Sequence, residues 1–385
     1  MNDNNNKRSR RFVIRDYKGA VPIFFQPEVH LDRMLGQGSF CAAWTIKHVH
    51  LCDDERSKTL PNQENRRSLA DQLNEARKSH GKAPLLRCVV KKPRNDFYAN
   101  VHNGDQSLTD LRYELKLLHR VGMGQHPNII QLHGIGASLI ENDKEKPQQS
   151  GVTFKLSFLI LSRIRYTIEE LMVQWRDQRG PGVKQALAID QNATRQVWKE
   201  RMSALAQVAD ALRYLHSNRI ILRDLKPENV GQDYRGVVKV YDLGLATQIE
   251  KENHGIDKLY RLTGNTGTLR YMSPEIGNRK KYGYSADVYS LAIVMHEVLS
   301  LKTPFAGMSS KAHSERVHNR GVRPSLDGGW PQPLRELIQS MWVADPTERP
   351  NASEVSKALS AMLQGSDDNL FPSALFPKNR WFPAK

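Results

Sequence analysis

The sequence predicts an α+β chain of two lobes, a smaller β-rich one followed by a larger, mostly α-helical one. β-like runs fall in the first part, at Leu35–Ile46, Leu85–Pro93, Ile129–Leu139 and Phe154–Leu161, with one main helical pattern at Leu108–Val121 among them. From about residue 165 the helical period takes over, at Thr167–Trp175, at about 195–217 and at Tyr284–Val294. The length, 385 residues, exceeds one small domain and leaves room for a large helical core.

The first element is a tail. Residues 1–11 are polar and basic without apolar periodicity, which predicts disorder. Lys7-Arg8-Ser9-Arg10-Arg11 fits either a solubilising tail or a nuclear-import or docking patch. Leu35-Gly36-Gln37-Gly38-Ser39-Phe40-Cys41-Ala42-Ala43 reads as strand–turn–strand, where bare glycines let backbone N–H groups approach phosphates. Residues 52–84 carry DDERSK, PNQENRR and KSHGK and read as an exposed insertion with a short helix around Ser68–Lys78. In the strand Leu85–Pro93, alternation puts Lys91 and Lys92 on opposite faces. In Leu108–Val121, Leu111, Leu115 and Leu118 form one stripe, and Glu114 lies in the same stretch.

A charged loop joins the next two strands. Arg176–Thr194 is a connection bearing glycine and proline. The helix at about 195–217 presents Leu205, Val208, Ala209, Leu212 and Leu215 as a core stripe. Tyr284–Val294 is almost continuously apolar, which predicts burial on all sides. From about residue 366, aromatics and prolines alternate (Phe371, Phe376, Trp381, Phe382), as in a tail that packs on the lobe or stays loose.

Composition narrows the function. No apolar run reaches membrane-spanning length, and the N-terminus lacks a secretory pattern. Three cysteines make neither a disulfide framework nor a metal site, so a reducing, intracellular setting is expected, cytoplasmic with the nucleus left open by Lys7–Arg11. The net charge of +16 is spread along the chain without a nucleic-acid-binding signature, which favours a solvated basic surface and acidic partners over a specific nucleic acid.

The chemistry concentrates in Ile220–Val230 and Val238–Gly244. An apolar run enters a turn carrying Asp224, Lys226 and Asn229, and a second run delivers Asp242. One carboxylate can orient a hydroxyl, the lysine can neutralise phosphate charge, and the amide and second carboxylate offer hard oxygens to Mg²⁺. These segments resemble the catalytic and metal-binding loops of eukaryotic protein kinases. The resemblance extends over roughly residues 30–362. It takes in the Gly-rich loop, the strand lysine Lys91, Glu114, and Gly267-Thr268-Leu269-Arg270-Tyr271-Met272-Ser273-Pro274-Glu275 as substrate-docking loop and Pro-Glu motif. Cys41 stands where a third glycine is usual, and Ala43 where valine is usual.

The resemblance implies the bilobal protein-kinase fold. Residues 1–29 would be an extension, 30–161 the N-lobe, 162–164 the hinge, 165–362 the C-lobe and 363–385 a tail. Asp224, Lys226, Lys91 and Glu114 would be catalytic. Leu35, Gly36, Gln37, Gly38, Ser39, Phe40, Ala43, Val89, Lys91, Ser162, Ile164 and Gly231 would meet ATP, and Asn229 and Asp242 would hold Mg²⁺, with Mn²⁺ as an alternative. Leu161 would be the gatekeeper. Asp287 would hold the catalytic-loop backbone, Arg349 would pair with Glu275, and Thr268 would place a hydroxyl near the catalytic loop. Arg223 would meet a phosphate on Thr263 or Thr266. Lys226 with Thr268 resembles the serine/threonine type, and the C-lobe wording is closest to the tyrosine-kinase-like group. The implied activity is ATP- and Mg²⁺-dependent phosphorylation of protein serine and threonine.

Leucines replace the usual histidine and phenylalanine at Leu222 and Leu243, and together with Leu118 and Leu132 they keep an apolar column. Leu222 and Cys41 also motivate the alternative, a pseudokinase scaffold that binds without transferring phosphate. Gly231 stands where a bulky apolar residue usually underlies the purine, so an open pocket floor is expected there.

Overall fold

A computed structural model describes residues 21–38, 41–53, 57, 60, 62–78, 87–94, 101–139, 154–177, 191–250, 258–366 and 370–372. The chain divides into two compact units, residues 1–125 with 130–163, and residues 126–129 with 164–385.

The first unit is built on a six-stranded sheet of β1 (Ile23–Phe25), β2 (Val29–Gln37), β3 (Cys41–Val49), β4 (Cys88–Pro93), β5 (Leu132–Leu139) and β6 (Phe154–Ser162), in the order β1-β5-β6-β4-β3-β2. β1 runs parallel to β5, and the other pairs are antiparallel. The sheet therefore takes in Ile23–Phe25, ahead of the boundary at residue 30 expected from sequence. The fifth strand starts at Leu132 rather than Ile129, because Ile129 bridges instead to Val240 in the second unit.

Two α-helices are found among the described residues of this unit, α1 (Gln63–Lys78) and α2 (Val101–Val121). On α2, Leu111, Leu115 and Leu118 are buried as the period predicts, and the helix begins seven residues before the expected Leu108.

The short helix expected around Ser68–Lys78 is α1, which starts earlier at Gln63, and its inner face is buried rather than exposed. Leu69, Ala70 and Leu73 share a core with Phe24, Val49, Cys88, Val90, Phe158 and Ile160. Asn74 grips the sheet by accepting from Val49 N (2.9 Å) and donating to Val49 O (2.8 Å). Beneath the helix, the Arg66 guanidinium pairs with Glu28, and the two side chains are 2% and 0% exposed. Glu28 also accepts from Phe25 N (2.7 Å) and Cys52 N (2.8 Å), tying β1, α1 and the start of the insertion together. A charge-rich composition hid this because the charges that matter neutralise each other inside the core.

The second unit is mainly helical: α3 (Ile168–Asp177), α4 (Gln191–Ser217), α5 (Pro274–Gly277), α6 (Ser285–Ser300), α7 (Ser310–His313), α8 (Gln332–Met341) and α9 (Ala352–Gln364). Short strands β7 (Tyr166–Thr167), β9 (Val230–Gln232) and β10 (Val238–Val240) form one small sheet, and β8 (Ile220–Ile221) pairs with β11 (Thr247–Gln248). Ala286 to Leu299 of α6 are buried without exception, as its apolar sequence predicts. The α4 stripe of Leu205, Val208, Ala209, Leu212 and Leu215 is likewise buried. The start of the tail packs on this unit: Trp198 Nε1 donates to Leu370 O (2.6 Å), and Phe371 lies under Arg195. Phe376, Trp381, Phe382 and Lys7–Arg11 lie outside the described residues.

Replacing Arg66 by methionine keeps the volume of the stem but leaves Glu28 buried without its cation. Arg66→Met should lower the stability of the protein by about 3–5 kcal/mol, the cost of a buried ion pair that loses one partner. Urea denaturation of both proteins measures it, and a loss below about 1 kcal/mol would show that the pair does not carry the insertion.

Candidate active site

In the first unit the chemistry centres on β4 and α2. Lys91 Nζ lies 2.8 Å from Glu114 Oε1 and 2.7 Å from Oε2, and Glu114 is buried. Lys92 points to the other face, with its ammonium 5.6 Å from the centre of the Trp44 ring. Strand alternation thus commits one lysine to the carboxylate and the other to an aromatic.

Gly36 and Gly38 lie at the end of β2, where Gly38 N donates to Cys41 O (2.8 Å). Among the described residues, a Cβ would meet nothing within 4 Å at Gly36 and only Cys41 O at 3.8 Å at Gly38, so their packing does not require glycine at either position. That leaves open space over the backbone, suited to a ligand approaching closely. Leu35 is exposed, Ala43 half-buried and Val89 buried, while Ser39 and Phe40 lie outside the described residues. At the end of β6, Ser162 N donates to Gln131 O (3.0 Å) and Arg163 N to Arg87 O (2.8 Å).

In the second unit, a chain of polar contacts holds the loop after β8. Asp287 on α6 accepts from Leu222 N (2.8 Å), Arg223 N (2.8 Å) and His216 Nε2 (2.9 Å). Arg223 adopts φ +70°, a left-handed conformation that costs a non-glycine residue energy and persists only when its surroundings enforce it. The loop then presents Asp224, whose carboxylate takes four donors. Oδ1 accepts from Thr268 N (2.8 Å) and Thr268 Oγ1 (2.7 Å), and Oδ2 from Asn229 Nδ2 (3.1 Å) and Lys226 Nζ (3.0 Å). Lys226 Nζ also reaches Thr268 Oγ1 (3.0 Å). Asn229 donates its side-chain amide Nδ2 to Asp224, and its side-chain oxygen Oδ1 has no hydrogen-bond partner among the described residues. Asp242 has φ +61° and is exposed, one residue before a 3₁₀ turn at Leu243–Leu245.

The region around Asp242 is electronegative. Burial pushes the Tyr241 phenol up, and the carboxylates of Asp242, Glu170, Glu228 and Glu169 push it further in the same direction. A divalent cation would be favoured there, and Asn229 and Asp242 offer the oxygen donors such an ion takes. The stretch Gly267–Glu275 is braced by side-chain contacts. Arg349 grips Glu275 through two bonds of 2.7 and 3.0 Å, and Tyr271 donates to Glu297 Oε2 (2.7 Å). Leu222 and Leu243 are buried in this unit, and Leu118 and Leu132 in the other.

The Arg223 guanidinium has partners without any phosphate: it donates to Leu245 O (2.5 Å), Ala246 O (3.4 Å) and Tyr282 OH (3.3 Å). Tyr282, which sequence reasoning passed over, also donates to Thr263 O (2.7 Å), and no local motif marks it for this role. Gly231 does not leave an open floor. A Cβ there would sit 2.3 Å from Ile164 Cγ2 and 2.8 Å from Tyr166 O, so glycine serves the close approach of β7 to β9.

Gly231→Ala should therefore force β7 away from β9 and lower stability by about 1–3 kcal/mol, the range for overpacking a filled site. Thermal unfolding checks this, and an unchanged or higher midpoint would show that the space is free.

No helix among the described residues is long and apolar enough to cross a membrane. Residues 87–359 match the family described as protein kinase domain. The chain is 36% identical over 162 residues to serine/threonine-protein kinase STY17 of Arabidopsis thaliana, covering 42% of this chain and 27% of that protein. It is 30% identical over 260 residues to serine/threonine-protein kinase VIK of the same plant, covering 66% and 50%. It is 32% identical over 178 residues to mitogen-activated protein kinase kinase kinase 7 of Bos taurus, covering 44% and 29%. The matched stretch thus spans between about a quarter and a half of the length of these relatives. With an Asp-Lys-Asn loop pinned from a buried helix, a strand lysine paired to a helical glutamate, and this match, the chain belongs to the protein kinase domain family.

Proposed function

We propose that the chain is an ATP- and Mg²⁺-dependent protein serine/threonine kinase that transfers the γ-phosphoryl group to serine and threonine hydroxyls of proteins. The observation that carries this reading is the Asp224 carboxylate, held by Lys226, Asn229 and Thr268 in one orientation. In this role Asp224 orients the substrate hydroxyl and accepts its proton as the oxygen attacks phosphorus. The bond from the γ-phosphorus to the bridging oxygen breaks, leaving ADP. Lys226 stabilises the charge on the transferring group. Lys91, braced by Glu114, takes the α- and β-phosphates.

Leu35, Gln37, Ala43, Val89, Ser162 and Ile164 are assigned to the nucleotide, with Gly36 and Gly38 giving it close access to the backbone. Ser39 and Phe40 complete the same loop in sequence. The bare space over both glycines and the unused side-chain oxygen of Asn229 fit this assignment. Asn229 and Asp242 are assigned to Mg²⁺, which when bound neutralises and orients the phosphates. The serine/threonine type is supported by the Lys226–Thr268 contact and by the names of the relatives. The presence of Lys91, Glu114, Asp224, Asn229 and Asp242 together argues against a scaffold without transfer. Leu222 is buried and its N–H is held by Asp287, so the missing histidine leaves no gap in the loop.

Asp224→Asn keeps the shape and removes the proton acceptor, so turnover on a peptide substrate should fall by at least about 10²-fold while ATP binding persists. Steady-state kinetics and a nucleotide-binding titration check this, and unchanged turnover would refute the assignment of Asp224.

A further inference from the structure

The residues flanking the docking stretch form a strongly cationic surface that the proposed reaction does not use. From 258 to 283 the chain holds Lys258, Arg261, Arg270, Arg279, Lys280 and Lys281 against one carboxylate, Glu275, which is buried and committed to Arg349. An antiparallel bridge between Tyr260 and Tyr282, with hydrogen bonds of 2.8 and 3.1 Å, lays the first segment beside the second. Arg261 thereby falls opposite Lys281, and Lys258 lies beside Gly283, where a Cβ would meet the Lys258 carbonyl. Arg279 joins them because its backbone packs against Gly264, where a Cβ would stand 2.9 Å from Arg279 Cα. Lys258, Arg261, Arg279, Lys280 and Lys281 are all exposed, and none has an ion pair or side-chain hydrogen bond among the described residues.

The surface is joined to the catalytic loop. Tyr282 follows Lys281 directly, and its hydroxyl meets Arg223, the neighbour of Asp224. Thr268, which closes on Asp224, lies in the same segment as Arg261. Like charges on two adjacent chain segments repel one another, a cost that an anionic partner removes.

We propose that this surface binds an acidic segment of the protein substrate, so that serines and threonines near runs of glutamate or aspartate are preferred. The identity of the partner rests on the phosphotransfer reading, but the charge argument does not. A phosphate on this chain's own segment fits less well. Thr266 Oγ1 is turned onto the carbonyls of Thr263 and Gly264, the Arg223 guanidinium already has partners, and a single phosphate is small beside cations distributed over two chain segments. An extended acidic chain matches that distribution.

The test uses a fluorescent peptide with one threonine beside a run of glutamates, and a twin with glutamines. Fluorescence anisotropy should show the glutamate peptide binding the whole chain at least about ten-fold tighter at low salt, a difference that shrinks as salt screens the charges. In Arg279→Gln/Lys280→Gln/Lys281→Gln the preference should fall to about two-fold or less, because only Lys258 and Arg261 remain to attract the acidic peptide. Lys258→Gln/Arg261→Gln provides a second route should the triple variant misfold. Equal binding of the twins, a preference that survives both variants, or tighter binding of an oligonucleotide of equal charge would overturn the proposal. Phosphotransfer run in parallel separates the two ideas. Acidic binding without transfer would contradict the kinase reading alone, and transfer without acidic preference would contradict this surface alone.

Discussion

One buried carboxylate supports the proposed catalytic loop. Asp287 sits on a helix surrounded by core on every side, and it spends its oxygens on two successive backbone N–H groups and one imidazole. Those bonds enforce the left-handed turn at Arg223, which would otherwise relax, and so set the direction in which Asp224 leaves the turn. A buried, fully hydrogen-bonded carboxylate is a costly way to gain stability but an effective way to fix a position. Arg349 and Glu275 repeat the device at the stretch Gly267–Glu275, with two parallel bonds that a lysine could not make.

The first unit uses the same logic for another purpose. Glu28 and Arg66 are buried together, and their bonds reach β1, the start of the insertion and α1. The result is a helix laid on the sheet, with Asn74 substituting for a strand partner at Val49. Glu114 is also buried, but its partner Lys91 keeps some exposure, as the proposed contact with phosphate requires.

Much of this was legible in the sequence, for a physical reason. Lys91, Glu114, Asp224, Asn229, Asp287 and the Arg349–Glu275 pair lie at fixed spacings within short motifs, and alternation on a strand was enough to separate Lys91 from Lys92. The apolarity of Tyr284–Val294 announced the burial of this helix. What stayed hidden depends on contacts between distant segments. Glu28 and Arg66 look like surface charges until they are seen to neutralise each other. Gly231 looked like a missing side chain, whereas Ile164 and the backbone of Tyr166 fill its space. Tyr282 and the bridge to Tyr260 have no local signature, so neither the partners of Arg223 nor the approach of Lys281 to Arg261 could be read from spacing.

The central claim is that this arrangement transfers phosphate to protein hydroxyls. The most direct measurement incubates the purified chain with Mg²⁺, γ-labelled ATP and a peptide library, then identifies the labelled amino acid after hydrolysis. The account predicts label on phosphoserine and phosphothreonine and none on phosphotyrosine. Label recovered only as inorganic phosphate, only on tyrosine, or not at all beside a working control kinase would contradict it.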